Sequence, residues 1–182
     1  MLNGITIGLI ATFAMLFAGI ILTVLINAFL APTKRTPKSV INEIIELMNL
    51  KVDDKFLDLG CGEGNVVLDA YRFAWCKCFG YDISPILIIL ARTKRILHFP
   101  MSKDIVFEAE NIFELDLKKF TKIYCFLDEK TMNAIKKNLK KYILNGGEVY
   151  SYRYGIKEMK NEKKVKLSNN ENLYIYGNLK KE

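Results

Sequence analysis

The sequence predicts an α/β domain built on a mostly parallel sheet, preceded by one N-terminal transmembrane helix. Three observations carry this. Residues 1–33 hold no charged side chain, so all 27 Lys/Arg and all 20 Asp/Glu lie after them. The run Phe56-Leu57-Asp58-Leu59 leads into three glycines at alternate positions, Gly60, Gly62 and Gly64. From there to residue 154, strand-like runs alternate with helical periodicity, and a strand–turn–strand pattern closes the chain. Alternation of that kind indicates parallel pairing, with the final hairpin supplying an antiparallel member near one edge.

Residues 5–31 are long enough to cross a bilayer, which takes ~20 apolar residues. A secretory signal would want basic residues ahead of a shorter apolar core. Here no Lys or Arg precedes the run, and Pro32 disfavours cleavage after Ala31. A buried core helix would show a polar face. Lys34, Arg35 and Lys38 follow the span, so the positive-inside rule places the rest of the chain in the cytoplasm. The expectation is a single-pass protein of the cell membrane: an anchor over 1–33 and a cytoplasmic domain over 34–182.

Within that domain, Thr36-Pro37 reads as an N-cap and first helical position. The helix it opens runs to about residue 50 on Val40, Ile41, Ile44, Ile45, Leu47 and Met48. A strand is expected at 55–59 and a helix at 66–73, with Glu63 and Asn65 as capping residues. A second strand at 76–81 ends at Asp82, and Ser84-Pro85 opens a helix to about residue 97. Strands at 105–110 and 122–127 follow. The amphipathic helix 129–143 stops at Asn145-Gly146-Gly147, and strands at 148–154, 163–167 and 173–176 complete a seven-stranded sheet.

The glycine turn carries the first chemical signal. A strand–turn–helix of this kind points backbone N–H groups at a bound ligand, and glycine supplies the φ > 0 the turn needs. The spacing is not the dinucleotide G-x-G-x-x-G, and no Gly-Lys-Ser/Thr follows, which excludes a phosphate-binding P-loop. Asp82 ends the second strand 22 residues after Gly60. A carboxylate there can accept hydrogen bonds from the ribose hydroxyls of an adenosyl ligand.

The D-x-G-x-G-x-G form resembles motif I of class I S-adenosylmethionine-dependent methyltransferases. The resemblance implies a Rossmann-like seven-stranded class I methyltransferase sheet and S-adenosyl-L-methionine as cofactor. It implies a donor site made of Asp58, Gly60, Cys61, Gly62, Gly64, Asn65, Asp82, Ile83, Asn111 and Ile112. Asp58 would orient the glycine loop or approach the methionine amino group. Asn111 stands where the family usually has Asp beside the adenine amino group, and its amide oxygen can accept in the same way. Ile112 would cover the adenine face.

A closer resemblance rests on Pro32, Thr36-Pro37, Leu57-Asp58-Leu59-Gly60, Gly80-Tyr81-Asp82-Ile83-Ser84-Pro85, Ala91-Arg92 and Gly147 through Ser151-Tyr152-Arg153-Tyr154. These look like the ATP synthase c-subunit lysine methyltransferase family and its prokaryotic relatives. That implies a membrane-anchored enzyme methylating a lysine of a membrane-associated protein. The segment Phe126-Leu127-Asp128-Glu129 lacks the Asn/Asp-Pro-Pro-Tyr/Phe signature of amino methyltransferases acting on adenine or glutamine. A lysine acceptor must lose a proton, and aromatic walls tolerate cations. Asp128, Tyr152 and Tyr154 are the catalytic candidates. A small-molecule or lipid acceptor is the alternative within enzymes, and a non-catalytic donor-binding module of a membrane complex is the alternative outside them.

The four cysteines, Cys61, Cys76, Cys78 and Cys125, have no zinc-ligand spacing, so no metal is expected. His98 is the sole histidine, and no hydrolase triad can be built around it. The net charge of +7 suits a solvated lysine-rich face or attraction to anionic headgroups. Nucleic acid is an unlikely partner, because no RNA-binding motif interleaves aromatics with arginines.

Overall fold

A computed structural model describes residues 3–30, 35–159 and 162–177. Pro32 and Lys34 of the linker lie outside the described residues. The chain divides into two units, 1–33 and 34–182.

The first unit is one continuous helix, α1 (Gly4–Leu30). Its 27 residues reach about 40 Å at 1.5 Å per residue. The stretch Gly4–Val24 is long and apolar enough to cross a membrane. Its hydroxyls are satisfied internally: Thr12 donates to Leu9 O at 2.8 Å and Thr23 to Gly19 O at 2.8 Å. Asn3 caps the start, its Oδ1 accepting from Thr6 N–H at 3.0 Å.

The second unit carries the expected seven-stranded sheet between helices. Its elements are α2 (Lys38–Met48), β1 (Lys55–Leu59), α3 (Asn65–Ala74), β2 (Lys77–Asp82), α4 (Pro85–His98), β3 (Ile105–Ala109), a 3-10 turn (Leu117–Lys119), β4 (Lys122–Cys125), α5 (Glu129–Leu144), β5 (Glu148–Tyr152), β6 (Glu162–Lys166) and β7 (Asn172–Tyr176). The strand order is β3-β2-β1-β4-β5-β7-β6. The first five strands pair in parallel, and β7 runs antiparallel to both β5 and β6. Alternation along each strand divides the core. Phe56, Tyr124 and Tyr152 pack with α2, α3 and α4 on one face. Leu57, Leu59, Ile123 and Cys125 pack with α5 and the 3-10 turn on the other.

Several boundaries differ from the sequence reading. Pro37 is itself the N-cap of α2 and the helix begins at Lys38. Thr36 instead turns its hydroxyl to that of Tyr124, 2.8 Å away. β4 ends at Cys125 rather than 127 because Asp128 already caps α5. β5 ends at Tyr152 rather than 154, where Arg153 adopts a φ of +69°.

The sheet's two ends differ in character. At the N-terminal strand ends, Lys122 Nζ donates to Met48 O at 2.8 Å and Asn49 O at 2.9 Å and pairs with Asp54 at 3.3 Å. Tyr150 donates to Glu148 Oε2 at 2.8 Å beside it. At the C-terminal ends lies the topological switch between β1 and β4, where open α/β sheets bind ligands.

Candidate active site

The glycine turn follows β1 at that switch. Gly60 and Cys61 both donate to Tyr81 O, at 2.8 and 3.0 Å, so β2 holds the turn from one side. Gly60, Gly62 and Gly64 all have φ > 0, at +75°, +55° and +76°, but their surroundings differ. A Cβ on Gly64 would stand 2.5 Å from the Phe107 ring, so this glycine packs the turn onto the core. A Cβ on Gly62 would meet nothing within 4 Å. Gly62 therefore presents bare backbone to the open crevice, as close approach by a ligand requires.

Asp82 fixes the turn from the end of β2. Its Oδ2 accepts from Gly62 N–H and its Oδ1 from Ser84 N–H, both at 2.9 Å. A carboxylate has about four acceptor sites, so both oxygens retain capacity for ribose hydroxyls. Ile83, next in the chain, has an exposed side chain.

Asp58 is buried beneath the turn, opposite Tyr124 in the β1–β4 register. Burial, with the Asp82 charge second, pushes its carboxyl up to about 8. Cys61 is also buried, and its sulfur lies where a Cβ on Gly80 would come within 2.9 Å. Burial, with the Asp58 and Asp82 charges, raises its thiol pKa. Cys61 thus lines the turn by backbone alone.

On the far side of β2, Asn111 Nδ2 donates to Glu114 at 2.5 Å and its Oδ1 accepts from Phe113 N–H at 3.2 Å. Glu114 thereby orients the amide so that its oxygen is the acceptor. Ile112 is buried among Leu57, Leu59 and Leu117.

Glu63 and Asn65 do not cap α3; Gly64 occupies the N-cap position without a side-chain bond. Glu63 instead pairs with Arg35 and with Lys94 Nζ, the latter at 2.8 Å. Lys94 also donates to Asn65 Oδ1 at 2.9 Å. The Lys94 hydrogen bond, with the Lys94 and Arg35 charges, holds the Glu63 carboxyl below its ordinary range against its partial burial. Sequence reading missed this cluster, because Lys94 is 31 residues from Glu63 and no local pattern links them.

The catalytic candidates lie at the ends of β4 and β5. Asp128 accepts from Thr131 N–H at 3.0 Å and Thr131 Oγ at 2.8 Å, the geometry of an N-cap. Tyr152 is buried against Phe126, ring centroids 4.8 Å apart, and its hydroxyl accepts from Asn169 Nδ2 at 2.7 Å. Tyr154 is half-buried, and its carbonyl takes the Ser151 hydroxyl at 2.5 Å. Arg153, between the tyrosines, pairs with Glu171 of the β6–β7 turn. Among the described residues no group of three or more His, Cys, Asp or Glu is placed to hold a metal.

The crevice fits an adenosyl sulfonium ligand: an acid at the end of β2, bare backbone at Gly62 and an amide acceptor at Asn111. Residues 58–163 match the family model of the ANTKMT methyltransferase domain. The chain is similar to a protein-lysine N-methyltransferase of Saccharolobus islandicus, 26% identical over 149 residues, covering 80% of this chain and 92% of that protein. It is similar to the adenine nucleotide translocase lysine N-methyltransferase of Mus musculus, 25% identical over 100 residues, covering 55% of this chain and 43% of the relative. Among solved structures, an RNA methyltransferase from Salinibacter ruber in complex with S-adenosyl-L-homocysteine superposes with a TM-score of 0.72. It is 23% identical, with 82% of this chain and 96% of that one covered; this likeness concerns the fold alone.

Proposed function

Because the chain belongs to the ANTKMT methyltransferase domain family, we propose that it methylates a lysine of a membrane-associated protein from a site at the cytoplasmic face of a membrane. The chain is an S-adenosylmethionine-dependent methyltransferase, as the match of residues 58–163 to the methyltransferase family model shows. The lysine acceptor is supported by those relatives, and the membrane location by the uncharged helix α1.

The observation that carries the donor assignment is Asp82, held by Gly62 and Ser84 N–H groups at the mouth of the glycine turn. When bound, S-adenosylmethionine supplies an electrophilic methyl group on a sulfonium. The chain's own task is alignment, which converts a bimolecular displacement into a positioned one. Asp82 would hold the ribose, Gly60, Gly62 and Gly64 the turn, and Asn111, Ile83 and Ile112 the adenine side. Asp58, Cys61 and Asn65 support the turn from below and beside. Asp128 and Tyr154 are proposed at the acceptor rim, where a lysine ammonium must shed its proton. Tyr152 supports that rim through Asn169.

The test is transfer of labelled methyl from S-adenosylmethionine to membranes of the source cell. Label that stays with protein after solvent extraction and appears in lysine on hydrolysis is the expected result. Label extracted with lipid would replace the acceptor. Donor binding without transfer would make the chain a binding module. Asp82→Ala is expected to keep the fold and weaken donor binding by about 10- to 100-fold, the loss of charge-assisted hydrogen bonds, read by titration calorimetry.

A further inference from the structure

Among the described residues, nothing covers one apolar face of helix α4. Its buried side is Leu87, Ile88 and Ala91. Opposite them, Ile89, Leu90, Ile96 and Leu97 are 59%, 44%, 54% and 75% exposed. At 100° per residue these four fall on one stripe, centred on Thr93. Thr93 turns its hydroxyl back to Ile89 O at 2.9 Å, so no polar group on the stripe depends on water. A contiguous exposed stripe of Ile and Leu marks a contact surface.

The charge around the stripe says what covers it. The helix carries Arg92, Lys94, Arg95 and His98 and no Asp or Glu. Arg92, exposed beside the stripe, keeps its charge while its Nε donates to Phe107 O at 2.8 Å; Arg95 donates to Ser102 O at 2.8 Å, and Lys94 on the other side is paired with Glu63. Its sheet neighbour β3 keeps its acid away: Phe107 packs on the α4 side of the sheet, so Glu108 projects to the opposite face. An exposed apolar stripe on a helix with basic and no acidic side chains suits an anionic membrane surface.

We propose that the outward face of α4 rests on an anionic lipid surface, with Ile89, Leu90, Ile96 and Leu97 in the headgroup–acyl boundary. This rests on the membrane-anchored reading of α1. Binding there would add a second, charge-dependent contact to the tether.

The test uses the full chain in nanodiscs of phosphatidylcholine, with or without phosphatidylserine and with or without brominated acyl chains. Trp75 is the sole tryptophan, so a Trp75→Phe background allows single reporters: Ile89→Trp, Ile96→Trp, and Lys137→Trp on α5 as control. The expected result is loss of emission at positions 89 and 96 in brominated anionic discs. That loss should shrink without phosphatidylserine and be absent at position 137. Equal emission with and without bromine at 89 and 96 overturns the proposal. So does a blue shift at these positions that bromine does not quench, which would mean that a second copy or a protein partner covers the face. A chain that fails to co-elute with discs of either composition overturns the anchored reading itself, a result distinct from an anchored chain with unquenched reporters.

Discussion

Asp58 is a carboxyl that the fold keeps protonated near neutrality. Its unfolded pKa lies near 3.9, while burial and then the Asp82 charge lift the folded value to about 8. Between these values the native state binds a proton that the unfolded state has lost. The associated stability is fully present below pH 4 and declines as pH rises, by at most about 1.4 kcal/mol per unit, levelling off above pH 8. Asp58→Asn should flatten that slope in urea titrations run from pH 5 to 9. Donor binding near pH 7 should also release a proton, seen as a calorimetric heat that depends on the buffer and disappears in Asp58→Asn. The residue was legible in the sequence as the acid of a glycine motif. Its protonation was not, because that depends on depth in the sheet and on a second acid 24 positions away. Asp82 was legible for the opposite reason: it ends an exposed-end strand at a fixed interval from the turn.

The strand–turn–helix was the most legible element, since three glycines within five residues leave few conformations. Which glycine does what was not legible. Gly64→Ala would drive a methyl to 2.5 Å from the Phe107 ring and should cost about 1–3 kcal/mol by overpacking, beyond the strain of its positive φ. Gly62→Ala meets nothing within 4 Å and should cost about 1–2 kcal/mol of backbone strain. It should nevertheless lose donor binding more severely than Gly64→Ala loses it per kcal/mol of stability. Thermal melts paired with donor titrations of the two variants check this. The strand ends were read two residues long at β4 and β5. After β4 the apolar run continues past the last ladder bond, as Phe126 and Leu127 fill the core from a loop; after β5 the strand stops where Arg153 turns to a positive φ. The helix caps went astray at α3 because Glu63 and Asn65 serve long-range partners instead of their own helix.

Across the whole molecule, stability and chemistry sit at opposite ends of one sheet. The Lys122 ammonium is largely shielded and shared between two carbonyls and two carboxylates at the N-terminal strand ends. Removing one partner of such a cluster strands the rest, so Lys122→Ala should lower unfolding free energy by about 3–5 kcal/mol. Donor affinity should stay unchanged, since the crevice lies at the other end; denaturation curves and calorimetry on the same preparation separate the two. The alternation of strands and helices made the fold class readable, but the order of the strands was not, because it depends on contacts no short window contains. That order also governs how the protein comes into being. Leu59 pairs with Tyr81 on one side and with Cys125 on the other, so the donor turn lacks a neighbour until β4 has been made. At ~5–20 residues per second of synthesis, a turn already translated waits several seconds for the strand that completes its crevice. The nascent chain passes through that interval with its donor turn flanked by β2 alone.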